Sequence, residues 1–349
     1  MGKRKPFIIF GSMFLGFSFF MLYLPGIIYL NLNSFLIILY EFIWLSAIGF
    51  TYSALIIPYQ AWMPEITTKE ERVEVSVYEN FFNFAGNIVG IGASFALALL
   101  ISSNLMIFLN FLLIAMIIEI ILYGPAVIFL KDGKPKEVSP ELLKEVKIAF
   151  RDRNFVNWEV VRGLSGIGVT ILTAMVIDLV QGYLHLLSPA HINEGIIVFI
   201  TVISSIYLIY RLSKKIDIRI MMSISLLVLS LGLIFLIMID IIHLNTIKTA
   251  IGILLVTISI IGLIGFWLFN YVILANIIDL NTMRTGKSRA GLYTGLDNVL
   301  QNIFQSIAYV ILGFALKYYA DISQLIWAPI AGFFTLISFI AFWRLKIEF

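Results

Sequence analysis

The sequence contains no cysteine, which excludes disulfides and thiolate metal sites. Its three histidines, His185, His191 and His243, include no two at metal-ligand spacing on one helix. Charged residues make up only 13% of the 349-residue chain. No nucleophile and base stand in a catalytic arrangement, and the glycines of RGLSGIG at 162–168 lie inside an apolar run, where a phosphate loop does not fit. The basic residues follow one set of connections and form no nucleic-acid patch. The expectation is a protein that is no enzyme, needs no cofactor or metal and binds no nucleic acid.

What is present is apolar surface. The chain is 60% hydrophobic with a mean hydropathy of +1.00, more than a soluble fold of this length can hide. In lipid only helices or closed barrels satisfy the backbone. The apolar runs are about 20 residues long and lack the ten-residue alternation of barrel strands. The fold class is therefore an all-α polytopic membrane protein. The start, MGKRKPFIIFGSMFLGFSFF, places basic residues before an apolar run as a signal peptide does. No small-residue cleavage site follows, so this run reads as a helix that stays.

Ten spans are predicted, at roughly 7–24, 35–57, 77–101, 105–130, 155–186, 195–211, 220–241, 249–276, 291–316 and 324–343. Of the 24 lysines and arginines, all but Lys248, Lys317 and Arg162 fall at the termini or in alternate connections. The positive-inside rule then puts both termini in the cytoplasm of a multi-pass cell-membrane protein. The segment 131–153, KDGKPKEVSPELLKEVKIAFRDR, is the one linker. Ser139-Pro140 opens an amphipathic helix there, with Leu142, Leu143, Val146 and Ile148 on its apolar positions. The linker divides the chain into a four-helix bundle (1–130) and a six-helix bundle (154–349).

The halves read as partial repeats. GKRKP before the first span matches RLSKKID before the seventh, and the loop after the second span, PYQAWMPEITTKEER, matches IIDLNTMRTGKSR after the eighth. Repeated bundles are a common plan of transporters. In the first of these loops Pro58 is expected to break the preceding helix, and Thr67 or Thr68 to cap the next one, answered by Glu70 or Glu71. Spans 5 and 6 have no counterparts in the first half, so two helices are missing ahead of Met1 on this reading.

Three segments carry a family resemblance: GKRKPFIIFG at 2–11, IPYQAWMPEITTKEER at 57–72 and FWLFNYVILANIIDLNTMRTGKSRAGLYTG at 266–295. They resemble loops of the glycoside–pentoside–hexuronide:cation symporters, the melibiose-permease-like branch of the major facilitator superfamily. The resemblance implies a fold of two six-helix bundles, with this chain starting at the third of twelve helices and keeping ten (4 + 6). It implies that Tyr52 and Trp267 line a sugar site. Other positions depart from the family pattern. Ile56 stands where the family has a cation-site aspartate, Gln60 replaces a tryptophan, Asn80 an arginine, Asn276 the first aspartate of a tenth-helix pair and Asn302 a lysine. Asp279 keeps the second aspartate of that pair. The resemblance also implies that charge pairs among Arg72, Asp279 and Arg289 close an inward gate.

The residues themselves give further candidates, because an ionisable group inside a membrane is expensive and usually functional. Glu119, in MIIEIILYG, reads either as a protonatable coupling group or as a carboxylate bonded to a neighbouring helix. Asp178, with Gln181 three residues on, reads as cavity-lining. Glu159 and Arg162 read as a local ion pair. Asp297, Asn298, Gln301, Asn302 and Gln305 form one polar stripe on the ninth span, and Asn80, Asn83 and Asn87 a similar one on the third. Such faces suit a neutral polyhydroxylated ligand and cannot face lipid cheaply. Trp267, Asn270 and Tyr271 would add an aromatic platform and a donor. Gly86, Gly90 and Gly92 read as close helix packing.

The function expected is a carrier of a small polar solute, a sugar or glycoside, working by alternating access with altered or absent cation coupling. The alternative is an N-terminally truncated or non-transporting membrane protein that retains the fold. The expected partners are the solute and the bilayer, with a coupling cation and a second copy of the chain as candidates.

Overall fold

The computed structural model describes residues 4–24, 34–62, 67–68, 71–83, 85–86, 89–90, 105–129, 142–179, 184, 192–242, 245–287, 289–319, 323–345 and 347. Among them there is no strand. The helices are α1 (Lys5–Leu22), α2 (Ser34–Gln60), α3 (71–83), α4 (Leu105–Phe129), α5 (Leu142–Arg151), α6 (Arg153–Ile177), α7 (Ile192–Ser213), α8 (Ile218–Phe235), α9 (Met238–Ile241), α10 (Asn245–Thr285), α11 (Ala290–Tyr319) and α12 (Trp327–Arg344). By length and composition, eight of the described helices can cross a membrane, and Ile200–Ser213 is a shorter apolar helix. Much of the third expected span, 77–101, lies outside the described residues, as do 131–141 of the linker.

Two compact units form: Met1–Ile66 with Phe84–Leu142, and Thr67–Asn83 with Leu143–Phe349. In the first, α1 packs on α2 where a Cβ at Gly11 would stand 2.8 Å from the backbone nitrogen of Leu55. Ile8, Leu55 and Trp62 are the buried core there, with Tyr59, Tyr123 and Val127 against them. The helix α2 runs two residues past Pro58. A proline in the last turn forfeits one hydrogen bond without ending the helix, and Ala61 still donates to the Ile57 carbonyl at 3.0 Å. A Cβ at Gly86 or Gly90 would meet no described atom within 4 Å, and Gly92 lies outside the described residues.

In the second unit, side-chain caps start two helices. The Asp152 carboxylate accepts from the Asn154 N–H at 3.1 Å, and Asp217 from the Arg219 N–H at 2.7 Å. Small residues set the spacing between helices. The antiparallel helices α8 and α10 meet along Ser225–Gly265, Leu229–Gly262 and Gly232–Ser259. The RGLSGIG run of α6 does the same work: Gly163 receives the Phe304 ring, Gly166 the Gln301 side chain and Gly168 Thr335.

Expected boundaries move. The helix α10 does not stop near 276 but continues to Thr285, a length of 41 residues. At 1.5 Å per residue it is about 60 Å long, roughly twice the hydrocarbon thickness. No breaker stands before Gly286, which has φ of +68° and can adopt the left-handed turn that ends a helix. The stretch IIDLNTMRT, expected as a loop, is therefore helical. The fifth span, expected to reach 186, ends its α-helix at Ile177.

Candidate functional site

The site residues of the second unit sit on α3, α6, α10 and α11. Along α3, residues at i, i+4 and i+8 face α10. Arg72, 1% exposed, donates to the Asn276 amide oxygen and to the Asp279 carboxylate, both at 2.6 Å. The Ser76 hydroxyl donates to the Leu268 carbonyl at 2.6 Å, and the Asn80 amide to the Ser76 carbonyl at 2.8 Å. Of the other asparagines expected in this stripe, Asn83 is exposed and Asn87 lies outside the described residues. The start of α3 carries half of the expected capping box. The Thr68 N–H donates to Glu71 at 2.9 Å, which holds the Glu71 carboxyl below its ordinary range. Glu70 lies outside the described residues.

Along α11 a second ladder runs at spacing four. Arg289 donates through Nε to Glu145 of α5 at 2.5 Å and through Nη1 to Asn281 at 3.2 Å. The Tyr293 hydroxyl donates to Asp152 at 2.9 Å, as does the Asn281 amide at 3.0 Å. Asp297 accepts from Arg162 of α6. Gln301 lies against Gly166. Spacing of four keeps all of these on one face of the helix. Arg162 also lies over the Tyr271 ring of α10, 5.1 Å from its centroid.

This ladder corrects two expectations. Arg162 bonds to Asp297 across the helix interface and not to Glu159 on its own helix; both Glu159 oxygens are buried without a hydrogen-bond partner among the described residues. The five-residue polar stripe also divides. Asp297 and Gln301 are buried, whereas Asn302 and Gln305 are exposed, and Asn298 is intermediate. The stripe spans too many degrees of helix to face one way: 297 and 301 are 40° apart, but 298, 302 and 305 are turned further round at about 100° per residue. The Asn298 amide donates to its own helix at Thr294. Trp267 is half-buried and Asn270 is buried, with its amide oxygen unpartnered among the described residues.

In the first unit Tyr123 lies near Glu119, Tyr52 and Tyr59. A Cβ at Gly16 would stand 2.7 Å from the Glu119 carboxylate, so Glu119 packs on α1. Tyr52 is exposed and Gln60 half-buried. Asp178 is exposed just beyond the end of α6, and Gln181 lies outside the described residues. The ladder partners Glu145, Asp152, Asn281 and Tyr293 were not among the sequence candidates. Their signal was the spacing of 289, 293, 297 and 301, which crosses the expected boundary of a membrane span.

The Arg289–Glu145 contact predicts a pH dependence. Its hydrogen bond from Arg289 holds the Glu145 carboxyl below the ordinary range. A lowered folded value means the contact stabilises α5 at and above the unfolded value, about 4.3, and loses that effect as pH falls through the folded one. Amide protection over 142–151, meaning exchange relative to the intrinsic rate at each pH, should be high at neutral pH and fall in acid. Glu145→Gln should show low protection at both.

A family model described as MFS/sugar transport protein matches residues 1–343. No curated protein gives a significant sequence match. Among solved structures, the chain is similar to a bacterial homologue of the iron transporter ferroportin in its outward-facing state, with a TM-score of 0.71 at 13% identity over 99% of this chain and 84% of that one. It is also similar to the fucose:proton symporter FucP of E. coli, with a TM-score of 0.66 at 12% identity over 98% and 84%. At such identity these likenesses speak for the fold. Together with the apolar helices, the family match makes this a multi-pass membrane carrier that acts on a small-molecule solute, and the chain belongs to the MFS/sugar transport protein family of the major facilitator superfamily.

Proposed function

We propose that the chain carries a neutral polyhydroxylated solute, a sugar or glycoside, by alternating access, in the manner of the melibiose-permease-like branch its loops resemble. The observation that carries this reading is the exposed amide pair Asn302 and Gln305 on α11, a helix long and apolar enough to cross a membrane. Unpaired amides facing hydrocarbon cost several kcal/mol each on the order of 2–7, so this face borders an aqueous cavity. Amides donate and accept at once and match hydroxyl groups. Half-buried Trp267 supplies an apolar face for a sugar ring.

In this reading Tyr52, Gln60, Asn80, Trp267, Asn270, Asn298, Gln301 and Asn302 serve the solute. Arg72 with Asp279, and Arg289 with Glu145, hold the inward gate shut. Glu119 and Asp178 are candidate coupling groups. Residues 1–130 and 154–349 act as the two bundles, joined by the linker 131–153, with both termini cytoplasmic. A second copy of the chain is a candidate partner.

Binding of a panel of neutral hexoses, pentoses and glycosides to the purified protein tests this. At least one should bind saturably. Trp267→Ala and Asn302→Ala should each weaken it by about tenfold or more, equivalent to ~1.4 kcal/mol, while the protein stays folded. Affinity unchanged in both variants would remove these residues from the site. No binding by any of the panel would favour a non-transporting protein that keeps the carrier fold.

A further inference from the structure

The buried charges of the second unit do not balance. Glu159 and Asp297 are 4% and 0% exposed, and Arg162 beside them is 5% exposed. Glu159 lies about 9 Å along α6 from its first residue and Asp297 about 10 Å along α11, at 1.5 Å per residue. One guanidinium neutralises one carboxylate, and the contact Arg162 makes is to Asp297. Tyr271 of α10 faces Arg162 with its ring. The other helix packed here, α12, brings Phe342 against Trp158 and Ser338, whose hydroxyl donates to the Val161 carbonyl at 2.7 Å. It adds no charged group to the cluster. The sum is one negative charge in excess, in a place where an uncompensated charge is among the costliest things a fold can hold.

The geometry says what would balance it. Glu159 stands one turn before Arg162 on α6, Arg162 binds the Asp297 carboxylate, and the two carboxyls can bond each other only if one of them is a donor. With both ionised, Glu159 Oε1, Glu159 Oε2 and Asp297 Oδ2 are acceptors with no donor among the described residues. A single proton placed between the two carboxyls turns that contact into an O–H···O⁻ hydrogen bond and brings the cluster to neutrality. A sodium ion would need several more oxygen ligands than two carboxylates provide, with a guanidinium already occupying one side. One turn further along, Gln301, 9% exposed, has its own amide nitrogen unpartnered among the described residues.

We propose that Glu159 and Asp297, bridged by Arg162, form a site for one exchangeable proton within the second unit. The proton comes from water and is held as a Glu159–Asp297 hydrogen bond while Asp297 keeps its ion pair to Arg162. When it leaves, Glu159 carries a charge with no partner and must turn toward water or compete for Arg162. That gives the cluster two arrangements, each with a definite charge. The family resemblance places a cation-site aspartate elsewhere, at a position here occupied by Ile56. That the proton drives solute movement rests on the carrier reading above; that it binds does not.

Infrared difference spectroscopy on the full-length protein in nanodiscs, titrated from acid to alkaline pH, tests the site directly. One protonated-carboxyl carbonyl band per chain should appear and disappear with pH. It should vanish in Glu159→Gln, a replacement that mimics the neutral acid and should fold, and shift in Asp297→Asn. A titration with no band removed by Glu159→Gln overturns the proposal. Sodium that displaces the band at constant pH would make this a sodium site and overturns it equally. In liposomes, an inward proton gradient should accelerate uptake of the bound sugar in the unsubstituted protein, and the ratio with and without the gradient should fall to unity in Glu159→Gln. A titrating band with no solute flux would sink the carrier reading and leave the proton site standing. Flux with no titrating band would sink the proton site alone.

Discussion

Arg162→Met should lower the stability of the folded protein by about 3–5 kcal/mol, the usual cost of removing one partner of a buried ion pair. The residue is buried, its partner Asp297 is fully buried, and Glu159 stands beside them. Without the guanidinium two carboxyls share an apolar interface with nothing to oppose their charge. The double replacement Arg162→Met with Asp297→Leu should recover most of the loss. It removes the stranded carboxylate, and buried pairs replaced as a pair by apolar groups are often neutral. The remaining Glu159 would then be carried as the neutral acid. A coupling between the two substitutions of several kcal/mol, read from denaturant unfolding of the four proteins, is the expected result. A single-variant cost below about 1 kcal/mol, typical of an exposed pair, would mean that Arg162 reaches water.

The second large effect is steric. Gly262→Val should abolish or sharply reduce folded protein. A Cβ at Gly262 would stand 2.7 Å from both the Cα and the Cβ of Leu229, and it also crowds the Leu229 backbone nitrogen. Backbone cannot rotate out of the way as a side chain can, so α8 and α10 must separate along the whole Ser225–Gly265 to Gly232–Ser259 seam. Overpacking of this kind typically costs about 1–3 kcal/mol and occasionally more, and a branched side chain at a backbone contact belongs at the upper end. Gly295→Ala is the control on a neighbouring helix. No atom lies within 4 Å of the added methyl, so the gain in helix propensity, about 0.5–1 kcal/mol, should raise the melting midpoint. A Gly262→Val protein as stable as the parent would show that the two helices do not pack at this distance.

Composition made the membrane-helical class legible, and the Lys and Arg pattern supplied an expected orientation, because both follow from solvent chemistry along a single chain. Contacts between helices were not legible in the same way. Glu159 and Arg162 are three apart and satisfy a local pairing rule, and nothing in the sequence says that an aspartate 135 residues on will compete for the guanidinium. The stripe from Asp297 to Gln305 was visible, but its division was not: burial depends on where α6 approaches, and that is set by Gly163 and Gly166. The end of α10 was misplaced because polarity was read as loop. A helix that outruns the membrane can stay helical in water when other groups bind its last turns, as Asp152 and Arg289 do at Asn281. The pairing of Arg72 with Asp279 joins two residues that the loop resemblance had singled out for one role.

Counterflow in liposomes tests the central claim most directly. Vesicles containing the purified chain are loaded with an unlabelled sugar that binds it and diluted into a trace of the same sugar in labelled form. A carrier that alternates its access exchanges one for the other, so the label should rise transiently above its external concentration and then decay. Label that only equilibrates, or enters no faster than into protein-free vesicles, would contradict the account.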